Sequence, residues 1–366
     1  MREAEKGSKG CAGDWSFRHG CAYNHHIMRH FSLNFLLILL VSLAPQPHRA
    51  AAQEAAAKQS LAAPVIHRGF AGEVSITCAT AGATIRYSLD GTDPGPKAGP
   101  YLAPIVLPGE GVVKARAFSE DRKEKSDLAE AKFQALPGAP SLASTLVLCT
   151  QDRDWPIYDW AKRHAAVSQL VKERKPALIF LGDSITQMFG GEPHDRPQLG
   201  NEVWEKYYGK RNAANLGFGY DYVENTLWRL EHGELDGAEA KVIVVMIGTN
   251  NAGKNTPEEI AKGIHAILGE IHRQQPAAKV LLMAIFPRGH APDAMRSKIS
   301  DINKLLASED GKSGVTFLDI GAKFLEPDGT ITHETMGDFL HPTAKGYEIW
   351  AREIEPILEK WLGAGK

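Results

Sequence analysis

The sequence predicts a three-layer α/β/α domain built on a parallel sheet and preceded by a small all-β, immunoglobulin-like sandwich. Three observations carry this prediction. Uninterrupted apolar runs alternate with helical patterns over 149–366, and short period-two segments broken by turn residues fill 64–136. Between them, Leu136-Pro137-Gly138-Ala139-Pro140 marks a boundary. A chain of 366 residues also exceeds what one hydrophobic core usually serves, so two domains suit its length.

The apolar runs are Ala177–Leu181, Val242–Ile247, Val280–Phe286 and Val315–Ile320. They show no in–out alternation, as expected of strands covered on both faces by helices. Thr256-Pro257-Glu258-Glu259 is a capping box with proline at the first helical position, and Ile260, Ile264, Ile267, Leu268 and Ile271 form an apolar stripe behind it. A last helix is predicted from Thr343 toward Leu362, with Tyr347, Trp350, Ile354, Leu358 and Trp361 inward and a kink at Pro356.

In the sandwich, Val74–Cys78 and Thr84–Ser88 alternate with period two, and Val112–Phe118 reads as a further strand. Asp90-Gly91 and Asp93-Pro94-Gly95-Pro96 supply turn chemistry. The predicted division is 1–52 signal-peptide region, 53–63 linker, 64–136 sandwich, 137–148 linker and 149–366 α/β domain.

Near the N-terminus, Arg29 and His30 precede the apolar run Phe31–Ala44; Pro45 and Pro47 end it and Ala50-Ala51-Ala52 follows. A positive flank, a short apolar core and small residues make a signal-peptide pattern, with translation expected to start at Met28. The run falls short of the roughly 18 residues that span a bilayer. A secreted or periplasmic protein is expected, with no stable membrane insertion once the signal is removed. Cys11 and Cys21 precede the expected cleavage; Cys78 and Cys149 remain, either paired or as buried thiols. The net charge of −2 and the lack of a basic run give no support for a nucleic-acid partner. No spacing suggests a metal or an organic cofactor, and no feature specifies an oligomeric state.

In open parallel sheets ligands bind beyond the carboxyl ends of the strands. The first run ends in Leu181-Gly182-Asp183-Ser184, placing Ser184 at a strand-to-helix turn where helix amides and dipole would stabilise an anion on its adduct; a serine N-cap is the alternative. Ala213-Ala214-Asn215-Leu216 ends at Gly217-Phe218-Gly219, where glycine allows a backbone amide to approach a ligand or simply makes a tight turn. Gly248-Thr249-Asn250-Asn251 offers Asn250, a neutral amide donor suited to an oxyanion, or a turn cap. Asp338 and His341 lie three positions apart before the last helix, so one loop can bring both to one site. A carboxylate on one imidazole nitrogen fixes the tautomer and frees the other to take a serine proton. His194, His265, His272, His290 and His333 lack such a neighbour and read as solvent-exposed or structural.

These four ordered blocks resemble the SGNH (GDSL) hydrolase superfamily, whose fold is a flavodoxin-like parallel sheet between helices. Within it, Asn215-Leu216-Gly217-Phe218-Gly219, Leu227-Trp228-Arg229-Leu230 with Gly233-Glu234-Leu235, and Pro287-Arg288-Gly289 are similar to the catalytic subunits of intracellular platelet-activating-factor acetylhydrolase. The resemblance implies Ser184 as nucleophile, His341 as base and Asp338 as its orienter. It implies an oxyanion hole of the Ser184 and Gly217 amides and the Asn250 side chain, and a structural role for Asp183. Tyr220 stands where many members carry a further glycine. The absence of a G-x-S-x-G elbow argues against the α/β-hydrolase fold. Ala83–Pro94 with Val112–Phe118 resembles the chitobiase/hexosaminidase C-terminal module, which accompanies secreted carbohydrate-active enzymes; the resemblance makes Tyr87 and Tyr101 either core tyrosines or sugar contacts. The expected function is a secreted serine esterase acting on short acyl esters, acetyl groups on carbohydrate ahead of acetyl-phospholipid. The rival from another class is a non-catalytic carbohydrate-binding or scaffold protein.

Overall fold

The computed structural model describes residues 60–139 and 142–363. The signal-like segment, Met28, Cys11, Cys21 and most of 53–63 lie outside the described residues.

The N-terminal module comprises β1 (Val65–Arg68), β2 (Glu73–Thr77), β3 (Thr84–Ser88), β4 (Gly99–Pro100), β5 (Ile105–Val106), β6 (Gly111–Phe118) and β7 (Ala129–Phe133). They form two antiparallel sheets, β1-β2-β5 and β4-β3-β6-β7. Period-two patterning turns Val74 and Ile76 of β2 and Val113 and Ala115 of β6 into a shared core with Tyr87, Ile105 and Leu107. Tyr87 is therefore a core tyrosine, and its hydroxyl accepts the Thr150 N–H at 3.0 Å.

The second domain holds α1 (Trp160–Arg174), β8 (Leu178–Gly182), α2 (Ser184–Gln187), α3 (Asn201–Tyr208), β9 (Ala213–Gly217), α4 (Val223–Glu231), β10 (Val242–Met246), α5 (Pro257–Gln274), β11 (Lys279–Met283), α6 (Ala294–Leu306), β12 (Val315–Leu318) and α7 (Ala344–Leu362). Its five strands are all parallel, in the order β12-β11-β10-β8-β9. Every residue of β8 and β10 is buried, the physical meaning of their unbroken apolar runs. One face packs on α1, α4, α5 and α6, and the other on α3 and α7. On the second face Phe180, Phe189, Trp204, Tyr208 and Trp350 pack ring against ring.

The capping box of α5 is formed as the sequence predicts: Glu259 N–H donates to Thr256 Oγ1 at 3.2 Å, and Thr256 N–H donates to Glu259 Oε2 at 3.0 Å. Helix α7 runs unbroken through Pro356, which is exposed, so the carbonyl that proline leaves without a partner lies on the solvated side. Trp361 is only half-buried there.

The stretch 137–148, expected to be a linker, is in its second half part of the catalytic layer. Thr145 is fully buried and donates to the Glu259 carbonyl at 2.8 Å, and Asn255 donates to Ser144 Oγ at 2.7 Å. The following residues plug into the sandwich. Thr150 donates to the Pro100 carbonyl at 2.5 Å, and Asp152 pairs with Arg86 at 2.6 Å and Arg122 at 2.8 Å. Hydroxyls with tertiary partners have no local pattern, so a packed joint reads as a tether in sequence. Cys78 and Cys149 are both free, and burial pushes the Cys149 thiol up to about 12. Among the described residues no helix is long and apolar enough to cross a membrane.

Candidate active site

From β8 the chain passes to β9 on one side and then to β10 on the other, which makes the carboxyl end of β8 a topological switch point. In register, Gly182 lies beside Gly217 and Met246, so the loops following all three strands leave side by side.

Ser184 sits at that point, nearly buried, as the first residue of α2. Asp183 caps it, its Oδ1 accepting the Ile185 N–H at 3.0 Å. A Cβ on Gly182 would stand 2.3 Å from the Met246 carbonyl oxygen, so only glycine permits this turn to close. Helix α2 lasts one turn of four residues, and the helix dipole expected there reduces to individual amides. Tyr347 of α7 donates to the Ile185 carbonyl at 2.7 Å and holds the turn against the sheet.

The imidazole arrives from 157 residues away. Phe339 adopts φ 60°, curling Gly337–Pro342 so that the Asp338 carboxylate accepts the His341 N–H (2.7 Å), the Leu340 N–H (3.1 Å) and His341 Nδ1–H (2.7 Å). Partial burial raises the Asp338 pKa, but these three donors outweigh it and hold the carboxyl below its ordinary value. With its proton assigned to Nδ1, His341 accepts the Ser184 hydroxyl at Nε2, 2.9 Å away. The predicted serine, imidazole and carboxylate therefore meet in one hydrogen-bonded line.

The oxyanion assignment needs one correction. The Gly217 amide donates to Asn215 Oδ1 at 2.8 Å, and a Cβ at this position would lie 2.2 Å from the Gln187 amide nitrogen. Gly217 is thus glycine because α2 rests on it; its amide is already occupied. The neighbouring amides are also engaged: Phe218 with the Gly182 carbonyl, Gly219 with Gln187 Oε1, Asp221 with the Phe218 carbonyl and Tyr222 with Asn225 Oδ1. Among the described residues, the Tyr220 amide alone in this loop has no such bond. Tyr220 adopts φ 62°, the left-handed conformation in which glycine is unstrained, so the backbone path survives although the side chain differs. That departure from the glycine pattern was the signal in the sequence. Asn250 donates through Nδ2 to the Asp221 carbonyl at 2.9 Å, which sets its amide beside this loop.

A buried ionic group, missed in the sequence, underlies the loop. Asp221 accepts Arg229 Nε (2.8 Å), Trp160 Nε1 (2.8 Å) and Gln151 Nε2 (3.0 Å). Arg229 also pairs with Glu234 and lies over the Phe218 ring at 3.9 Å. The partners come from two stretches, 151–160 and 218–234, at spacings of five, eight and about sixty to seventy residues that match no helix or strand period.

The remaining histidines stand apart from the nucleophile's bonds. His194 is exposed and bonds Gln198, His265 faces Glu309, and His272 bonds the Leu268 carbonyl. His290 and His333 flank Phe339 at 5.1 and 4.2 Å, and so line the loop that carries the base.

Burial raises the Asp183 carboxyl from 3.8 to about 7. An unfolded Asp ionises near pH 4, so between about pH 4 and 7 the folded state holds the extra proton and stability falls as pH rises. Asp183→Asn keeps the cap and removes the ionisation. It should raise the melting temperature at pH 8 and leave it unchanged at pH 4; an equal shift at both values would refute the assignment.

A parallel sheet that brings serine, imidazole and carboxylate to its switch point has the parts of one class, the serine hydrolases. Residues 180–349 match the GDSL-like lipase/acylhydrolase family, and residues 69–130 match the chitobiase/β-hexosaminidase C-terminal domain. The chain is 40% identical over 204 residues to platelet-activating factor acetylhydrolase IB subunit alpha2 of Gallus gallus, covering 56% of this chain and 85% of that one. Against subunit alpha1 of Homo sapiens it is 35% identical over 204 residues, covering 56% and 84%. The chain belongs to this GDSL-like acylhydrolase family and is a carboxylic ester hydrolase. A GDSL-like lipase of Bacteroides thetaiotaomicron aligns in structure with TM-score 0.44 and 18% identity, over 55% of this chain and 96% of that chain.

Proposed function

We propose that the protein is a secreted serine esterase that removes acetyl groups from carbohydrate. The observation that carries the serine mechanism is the 2.9 Å contact of Ser184 Oγ with an imidazole whose other nitrogen is bound to Asp338. Ser184 attacks the ester carbonyl as His341 takes its proton, and His341 then protonates the departing alcohol. Water repeats the two steps on the acyl-enzyme and releases the acid. Charge on the tetrahedral oxygen falls to the Ser184 and Tyr220 amides and to Asn250 Nδ2.

Asn250→Ala should fold normally and lose on the order of 10²–10³ in kcat on a nitrophenyl ester. An unchanged kcat removes Asn250 from the hole.

The carbohydrate reading draws support from the chitobiase-type module and from the signal-like N-terminus. Relatives at 35–40% identity named for platelet-activating factor favour a second reading, an acetyl ester of a phospholipid. Acetate release from acetylated xylan, acetylated chitin-type oligosaccharides and acetyl-phospholipid, with Ser184→Ala as the blank, decides between them. Release from phospholipid alone would overturn the carbohydrate reading.

A further inference from the structure

A cleft of about 810 Å³, within the range of ligand sites, lies at the joint of sandwich and catalytic domain. Asp90, Thr92 and Lys97 line it from the turn-rich β3–β4 loop of the sandwich. Arg153, Tyr222 and Lys254 line it from the catalytic domain. Both modules are needed to form it, and neither the nucleophile nor its base lies in its wall.

We infer that this cleft binds a neutral oligosaccharide chain, the part of the substrate beyond the acetylated sugar; the inference rests on the carbohydrate reading above. Three observations support it. First, charge in the cleft is of both signs and interleaved: Asp93 is paired with Arg116 at 2.6 Å and Lys254 with Glu224 at 3.7 Å, while Lys97 and Glu110 stand exposed. Such a wall offers donors and acceptors to vicinal hydroxyls and no concentrated positive field for a phosphate or carboxylate. Second, Leu89, Pro94 and Val147 add apolar groups to the same lining, which suits the C–H faces of sugar rings as the polar groups suit their hydroxyls. Third, the cleft is joined to the catalytic loop. Arg153 lies over the Tyr222 ring at 4.0 Å and donates through Nη2 to the Tyr220 carbonyl at 2.7 Å. The loop that contributes Tyr222 to the cleft thus also carries the free Tyr220 amide. A chain lying against Tyr222 therefore touches the loop two residues from the Tyr220 amide.

The full chain and its Lys97→Ala/Lys254→Ala variant should be compared on acetylated xylose, acetylated xylohexaose and 4-nitrophenyl acetate. The expected result for the wild type is a kcat/KM at least tenfold higher on the hexaose than on the monosaccharide. The double variant should lose most of that gain and keep its rate on 4-nitrophenyl acetate. Equal rates on long and short sugars, or a length preference untouched by the variant, would overturn the cleft while leaving the carbohydrate reading intact. If no acetylated sugar of any length is hydrolysed, the carbohydrate reading fails by itself. Calorimetric titration with unacetylated xylohexaose, cellohexaose and chitohexaose then tests the cleft directly. Saturable binding abolished by a cleft-filling Lys97→Trp supports it, and no binding of any of the three overturns it.

Discussion

Replacing Ser184 by alanine should lower kcat for ester hydrolysis by on the order of 10⁶, with the melting temperature unchanged. His341→Ala should cost about as much, and the double variant little more than either single one, because nucleophile and base act as one unit. The reason is geometric. A serine hydroxyl is a weak nucleophile at neutral pH, and only the imidazole 2.9 Å away can take its proton as the bond forms. Asp338→Asn should be slower by on the order of 10⁴, since an amide that presents its N–H to the ring favours the wrong tautomer. Burst kinetics with 4-nitrophenyl acetate measure all three. A Ser184→Ala variant retaining a tenth of the wild-type rate would remove Ser184 as nucleophile.

The second large effect is expected in stability. Arg229→Ala should destabilise the fold by about 3–5 kcal/mol, because it strands two buried carboxylates whose shared cation is gone. Arg229, Asp221 and Glu234 are all fully buried, and burial already raises Asp221 and lifts Glu234 to about 7 against the pull of Arg229. Combining Arg229→Met with Asp221→Asn and Glu234→Gln should restore most of the lost stability, since no uncompensated charge remains. The rate should stay low, because Asp221 anchors the loop whose carbonyl holds Asn250. Urea unfolding gives the first quantity and kcat the second. A loss below about 1 kcal/mol in the single variant would show that the site hydrates rather than stays dry.

Much of this was legible in the chain. The strands β8, β10, β11 and β12 fall within a few residues of the predicted runs, because a strand covered on both faces must be apolar throughout. The α5 capping box was equally plain, since its partners lie three residues apart. Ser184, Asp338 and His341 could be named because each stands in a short ordered block. The Gly217 amide, expected as the donor of the β9 loop, is already bonded to Asn215 Oδ1. Glycine there signals a close approach, and the sequence cannot say whether a ligand or α2 makes it. Among the described residues the free amide of this loop lies three residues on, at Tyr220; the sequence flagged that position by its missing glycine, and the partners of the neighbouring N–H groups single it out.

Local patterning therefore settled what depends on spacing along the chain: the strands, the helix caps, the order of the catalytic blocks and the Asp338-to-His341 turn. Tertiary packing alone decided what depends on distant segments meeting. It closed 157 residues between Ser184 and His341, drew Gln151, Trp160, Arg229 and Glu234 around the Asp221 loop, and turned a supposed tether into a packed joint with a cleft. The physical reason is that hydrophobic periodicity acts on neighbours, whereas a buried polar group accepts any partner the fold brings within 3 Å or so.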